Sequence, residues 1–453
     1  MQQEKILTSK EIIVIGSMLF ALFLGAGNMI FPPMLGQEAG TNIWLALAGF
    51  LVTGVGLPLL AVVAIARSGG DLQTLATRVH PIYGVVFTII VYLAIGPLFG
   101  IPRTGTVAYE IGITPFIPDD LAEKRMPLFI FTILYFGITI WLSLNPSKLV
   151  DRIGKILTPA LLIVLILLVS KSIITPMGTL QKPNDDYATT PFFKGFIEGY
   201  LTMDTLGALV FGIIVVRFIR GKGITNKKSI TKIGLAASVI AAFGLGLVYL
   251  SLAFIGATST EAIGIKDHGG AILAEAATYL YGSSGIAILS LIIIFACITT
   301  SVGLVSASAT YFSSLLPAVS YPVLVIILSA FSFIFSNFGL ERLIGYSLPV
   351  LIIIYPLAIV LIILSFADHL FHGHRSVYVG ALIFTGLISI IDGFNAANIT
   401  SEALLSLLDK LNSVVSFLPF YDEGVGWLLP AIVGALLGYI VAYLLSLYKG
   451  EKS

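Results

Sequence analysis

Charge is scarce in this chain. Of 453 residues, 25 are Lys or Arg and 24 are Asp or Glu, for a formal net charge of +1. Without a basic excess there is no surface to hold a polyanion, so no nucleic-acid partner is expected. Cysteine occurs once, at Cys297, which implies neither a disulfide scaffold nor a Cys-rich metal site. Histidine occurs five times, and His369, His372 and His374 fall together in ADHLFHGHR, a spacing that suits a solvated helix end better than zinc. There is no H-E-x-x-H string and no Ser/Lys arrangement at matching depth. Asp204 and Asp392 are the candidates for a paired-carboxylate site, but their surroundings differ, so an intramembrane enzyme is not expected.

Apolar residues make up 57% of the chain, above the roughly 45–50% of soluble domains. They are gathered into runs of about 20 residues, the length that crosses some 30 Å of hydrocarbon as a helix. About twelve such spans are predicted: 12–35, 43–66, 82–112, 127–144, 153–173, 192–219, 231–257, 285–315, 321–338, 343–366, 377–394 and 426–447. Runs such as IGKILTPALLIVLILLV do not alternate, which rules out barrel strands. The expected fold is an all-α polytopic membrane protein, with residues 1–453 as a single transmembrane domain. Lys5 and Lys10 precede the first run as in a signal peptide, yet no small-residue cleavage site follows, so a retained span is expected. Sixteen basic residues fall on the side of the N-terminus and eight on the other, with Arg103 inside a span, which predicts a cell-membrane protein with both termini cytoplasmic. In the outer connection 258–284, Ala271 to Tyr281 is expected to form a short amphipathic helix lying on the surface.

Two spans are interrupted where a helix ought to be most regular. The first carries GAGN at its middle and the sixth carries EGYLTMDTLGALVFG. An unpaired backbone group in hydrocarbon costs several kcal/mol, so an unwound stretch survives only where protein or a water-filled cavity supplies partners. Such a break places a positive helix N-terminus opposite a negative C-terminus at mid-depth, which matches the carboxylate and ammonium of a zwitterionic amino acid. A G-x-G string alone also fits a helix-packing contact or a kink at Pro32. The second break argues against that alternative. Five spans separate the two, and an odd number inverts the second unit relative to the first. Hence a five-plus-five inverted repeat is expected, residues 12–173 and 192–366, followed by two additional spans over 377–447.

GAGNMIFPP in span 1, together with LTMDTLGALVFG in span 6, resembles the branched-chain amino acid:cation symporters (BrnQ type, the LIVCS family) over essentially the whole chain. That family is similar in architecture to the LeuT-fold transporters, whose first span carries G-x-G-N-x-x-R-F-P. Here the string is one residue shorter and lacks the arginine, so no outer gate built on an arginine at this place is implied. Gly25, Ala26 and Gly27 are small enough to leave the main chain of the break open to a substrate, and the resemblance implies further substrate contacts from Asn28, Thr202 and Thr205. Asp204 lies at the break and is open to three roles: helix cap, ammonium partner or proton carrier. In span 8, FACITTS is similar to the F-A-x-x-T-S string of sodium symporters, which implies Na⁺ as coupling ion on Ala296, Thr299 and Thr300 with the carbonyls of Ala21 and Leu24. Oxygen ligands suit a hard cation, although hydroxyls in membrane helices also bond back to their own carbonyls. Span 7 has no asparagine between Lys232 and Ala257, so one Na⁺ site is expected rather than two. Arg103 and Glu110, about 10 Å apart along one face of span 3, are expected to pair with other groups in a structural or gating role.

The apolar side chains near the breaks (Leu22, Phe23, Met29, Leu201, Met203, Leu206) favour an aliphatic substrate. Each buried CH₂ contributes about 0.8 kcal/mol, and a methylene separates substrates by only roughly 1–3 kcal/mol. One carrier for leucine, isoleucine and valine is therefore expected, the names being those the resemblance implies. Proton coupling of the same substrates is the alternative. A channel would need a repeated filter or rings of like charge, which are not visible, and a receptor would bring a soluble signalling segment.

Overall fold

The computed structural model describes residues 7–122, 124–144, 159, 162–397 and 399–448, and all regular structure among them is helical. The first span is two half-helices, α1 (Ser9–Phe23) and α2 (Ala26–Ala39). A capping box starts α1: Thr8 Oγ1 accepts the Glu11 N–H at 3.3 Å, and Glu11 Oε2 accepts the Thr8 N–H at 3.0 Å. The second and third spans are likewise jointed, as α3 (Ile43–Leu51) with α4 (Leu57–Ser68), and α6 (Pro81–Leu93) with α7 (Gly100–Gly112), the short α5 (Leu72–Ala76) lying between them. Their joints are single π-helical turns at Val52–Gly56 and Ala94–Leu98, the second kinked at Gly96 before Pro97.

After α8 (Asp119–Ala122) come α9 (Arg125–Ser143), α10 (Leu162–Ile174) and α11 (Asp185–Thr189). The sixth span is again two pieces, α12 (Pro191–Glu198) with a 3₁₀ turn to Thr202, then α13 (Asp204–Gly221), bent by 43° at the break. Long helices follow: α14 (Lys227–Ile263), α15 (Gly269–Leu315), α16 (Tyr321–Ser336) and α17 (Leu340–Ala367). The chain closes with α18 (Arg375–Asn395), α19 (Glu402–Val415) and α20 (Leu428–Tyr448).

Among the described residues, eight helical stretches are long and apolar enough to cross a membrane, the bent pair around Met203 makes a ninth, and α10 and α16 are shorter apolar helices. Part of the difference from twelve is physical, since α1 and α2, with 15 and 14 residues, are each half a crossing. The beginning of the span expected at 153–173 lies outside the described residues, as do Lys5, Lys148, Arg152, Lys155, Lys449 and Lys452 of the charge count. Large apolar side chains on the rim are exposed, Trp141 at 72% and Phe243 at 70%, which water would not tolerate and lipid does. This is a multi-pass membrane protein.

The stretch 271–281 forms a short amphipathic helix, set off from the remainder of α15 at Gly282 (φ 62°), and its Ile272, Leu273, Ala276 and Ala277 are buried against protein. Gly269 packs against the Ile30 carbonyl of α2 and Gly270 against Ile111 of α7, so the stretch covers one end of the broken span.

The α2–α14 contact is backbone on backbone: a Cβ at Gly36 would stand 2.0 Å from the Ala253 carbonyl oxygen. At Gly137 of α9 a Cβ would meet nothing within 4 Å. Gly36→Ala should therefore destabilise the protein by about 1–3 kcal/mol, whereas Gly137→Ala should stabilise it by up to about 1 kcal/mol. Thermal unfolding midpoints in detergent check both signs.

Candidate functional site

The two breaks meet. At the first, Leu24 leaves the helical region (ψ 85°) and Gly25 is extended, so the Gly25 N–H that would have closed a turn onto Ala21 bonds instead to Asn28 Oδ1 at 2.9 Å. Asn28 thereby caps α2 from inside the helix. At the second, Met203 is left-handed (φ 62°), a strained conformation for a side chain without a hydrogen bond of its own to stabilise it. The Thr202 hydroxyl holds this turn, donating to the Gly199 carbonyl at 2.9 Å and accepting the Asp204 N–H at 3.3 Å. Gly27 lies against the Thr202 backbone, so that a Cβ there would come within 3.1 Å of the Thr202 carbonyl oxygen. The N-termini of α2 and α13 and the C-termini of α1 and the 3₁₀ turn thus converge at one depth. Two positive and two negative backbone ends face a common space.

Side chains from neighbouring helices complete it. Asn28 Nδ2 donates to both Asp204 oxygens, at 3.0 and 2.8 Å, and also to the Tyr249 hydroxyl of α14. The Tyr249 hydroxyl donates to Asp204 Oδ2. Asn28, Asp204 and Tyr249 are 2%, 4% and 0% exposed, so this carboxylate is bonded by protein groups rather than by bulk water. From α7, Arg103 donates to the Leu201 carbonyl, one of the acceptors freed by the second break, and to Ser347 Oγ of α17 at 2.8 Å. Its guanidinium sits 5.2 Å from the Phe31 ring centre, so a third-span arginine reaches the first-span F-P-P stretch.

A cavity of about 50 Å³ lies between these groups. Gly25, Ala26, Gly27, Asn28, Thr202 and Asp204 all line it, with Leu22, Phe23, Met203 and Phe211 among its apolar walls and Arg103 and Thr300 beside them. Thr205 stands elsewhere: its hydroxyl donates to the Thr53 carbonyl of the π turn at 3.0 Å, fastening α13 to the second span. Met29, Leu201 and Leu206 are buried in the packing around the cavity rather than in its wall. The span 8 residues are divided. Thr300 Oγ1 approaches the Leu24 carbonyl at 3.4 Å and touches Gly25. Thr299 Oγ1 donates to the Ala296 carbonyl at 2.7 Å, the local back-bond, which leaves its oxygen lone pairs free. With the Ala21 carbonyl relieved of its Gly25 partner, the donor set at this place is carbonyl and hydroxyl oxygen, the chemistry of a hard cation. No cluster of three His, Cys, Asp or Glu suited to a metal occurs among the described residues.

Glu110 is remote from Arg103's partners. It accepts from Thr114 at 3.5 Å and faces His268 Nε2 at 4.0 Å, where the chain enters α15. Burial lowers the His268 pKa below its ordinary value, so this ring is neutral at pH 7 and its Nδ1 accepts the Ala271 N–H. Tyr249 was not singled out by sequence, because a tyrosine in VYLSLAF carries no signal beyond an ordinary membrane helix. Arg103 carried one, a guanidinium inside an apolar run, though not its partner.

Paired breaks meeting among the surrounding helices define a transporter of LeuT-like fold. Over 96% of this chain and 92% of the other, the structure superposes with TM-score 0.62 and 15% identity on a nucleobase-cation-symport-1 family transporter in a closed conformation with bromovinylhydantoin bound. Residues 8–445 match the family described as branched-chain amino acid transport protein, and the chain belongs to that family. It is 52% identical over 432 residues to the branched-chain amino acid permease BraB of Bacillus subtilis (strain 168), covering 95% of each chain. To the permease BrnQ of the same organism it is 49% identical over 450 residues, covering 99% of this chain and 100% of that one. These relatives are named as transport proteins and not as enzymes.

Removing one donor of a buried triad leaves the others unsatisfied. Asn28→Ala and Tyr249→Phe should each cost about 1–3 kcal/mol, and the double variant should fall short of the sum by about 0.5 kcal/mol or more. A double-mutant cycle of unfolding midpoints in detergent measures the coupling.

Proposed function

We propose that the chain is a secondary active symporter that imports leucine, isoleucine and valine with Na⁺ across the cell membrane by alternating access. The observation that carries this reading is the convergence of four half-helix ends at Gly25 and Met203. A zwitterion placed there has its carboxylate on the free N–H groups of Ala26 and Gly27, and its ammonium near the carbonyls of the α1 end and Asp204, with Asn28 and Thr202 alongside. Thr205 serves this site by anchoring α13. The apolar wall of Leu22, Phe23, Met203 and Phe211 receives a branched aliphatic side chain. Membership in the family and the names of the permeases it resembles support these substrates.

Na⁺ enters the reading as a co-substrate held by the carbonyls of Ala21, Leu24 and Ala296 and the hydroxyls of Thr299 and Thr300. Its charge tethers α1 to α15 only while it is bound, which is how ion and substrate gradients become coupled. One Na⁺ entering with a neutral zwitterion carries one positive charge inward, worth about 2.3 kcal/mol per 100 mV. In this reading residues 12–173 and 192–366 are two inverted five-span repeats, 377–447 adds two spans, and both termini are cytoplasmic. A second reading, proton coupling, rests on the buried carboxylate of Asp204 at the site itself.

Labelled leucine uptake into proteoliposomes under an imposed Na⁺ or proton gradient separates the two. We expect saturable, concentrative uptake driven by Na⁺. Thr300→Ala should raise the half-saturating Na⁺ concentration about tenfold, or 1.4 kcal/mol. Uptake driven by protons alone, or unchanged by Thr300→Ala, overturns the ion assignment. Conductance without saturation overturns the carrier.

A further inference from the structure

A second and much larger cavity, about 780 Å³, lies on the Ser9 side of the breaks, between α1, α5, α6 and the ends of α13 and α15. That volume is within the roughly 300–1,000 Å³ of small-molecule sites. Leu22 stands in the walls of both cavities, so they are neighbours. The walls of the larger one hold two charged side chains of opposite sign, Asp71 and Arg217. They form no ion pair with each other. Asp71 gives one carboxylate oxygen to the Thr74 N–H at 2.6 Å, capping α5. Arg217 is exposed and makes neither a hydrogen bond nor an ion pair with the described residues. The stacked rings of Tyr92 and Tyr311, centroids 4.3 Å apart, line the same cavity, and the Tyr311 hydroxyl is held by Gln73 Oε1 at 3.2 Å. Met18, Ile213 and Phe218 supply apolar wall.

A cavity with one free cation, one anion and an aromatic and aliphatic lining matches the chemistry of the solute proposed for the breaks. It cannot be the same contact. Arg217 lies thirteen residues along α13 from Asp204, about 20 Å at 1.5 Å per residue. We propose that this cavity is a second subsite for zwitterionic amino acids with apolar side chains, which Arg217 engages through the carboxylate and Asp71 through the ammonium. The inference rests on the transport reading. In that reading the subsite holds the solute between its departure from the breaks and its escape to the cytoplasm, so it governs affinity on that side of the membrane.

The test uses the full chain in proteoliposomes of one orientation, with half-saturating leucine measured from each side. Asp71→Asn keeps the α5 cap, since Asn and Asp cap equally well. For Asp71→Asn and for Arg217→Gln the internal constant should rise about tenfold relative to the external one. Internal 4-methylpentanoate, which lacks the ammonium, should lose potency with Arg217→Gln and not with Asp71→Asn. Internal leucinamide should show the reverse. Equal shifts on both sides, or none, overturn the subsite. A second measurement does not depend on transport: leucine should slow maleimide labelling of Ala307→Cys in a Cys297→Ala background, and this protection should vanish with Arg217→Gln. Protection that is absent, or that survives Arg217→Gln, overturns the subsite even where leucine uptake is intact. Protection without any uptake overturns the transport reading and leaves the subsite standing.

Discussion

A peptide group without a hydrogen-bond partner in hydrocarbon costs several kcal/mol, and here two helices open such groups at the same depth. Most of what surrounds the opening answers that cost. Asn28 takes the Gly25 N–H, Thr202 takes the Asp204 N–H and Arg103 takes the Leu201 carbonyl. The groups left over, the first N–H groups of α2 and the last carbonyls of α1, are the ones available to a solute. Under the proposed function, a binding place made in this way is small, polar at its ends and apolar at its sides, because only backbone and a few short side chains can reach it.

The remainder of the molecule is organised to hold that opening rigid. The π turn at Val52–Gly56 offers the Thr53 carbonyl to Thr205, and the Thr53 hydroxyl donates to Phe196 at 2.8 Å, so the second span clamps the sixth on either side of its break. Glycines bring α2 within backbone contact of α14 and of the start of α15. Bends in the scaffold and breaks in the site are therefore the same device used twice. A π turn exposes a carbonyl while keeping the helix continuous, and a full break exposes both kinds of group. Under the proposed function, a cation between α1 and α15 acts where Gly25 lets the broken main chain approach Thr300 closely.

The sequence carried much of this because membrane helices obey strict rules. Long apolar runs must be helices, and glycine with asparagine inside such a run must be compensated, so the two breaks, their residues and the family resemblance were legible before any coordinates. What escaped was lateral packing. Tyr249 looks like any tyrosine of a lipid-embedded helix until α14 is laid against α2 and α13. Thr205 has the residue type of a ligand, but its hydroxyl is committed to the Thr53 carbonyl. The segment 271–281 has an amphipathic pattern, and only packing shows that its apolar face meets α2 and α7.

By itself the sequence determined the solvent this protein lives in, the helical class and the places where main chain must be exposed, since hydrocarbon leaves the backbone few alternatives and those are written in local composition. Which distant side chains meet at the exposed main chain, and that the Thr205 hydroxyl is spent on the second span, was decided by tertiary structure. These contacts join residues 45 to 276 positions apart, from Tyr249 with Asp204 to Thr300 with Leu24, and no local pattern records them.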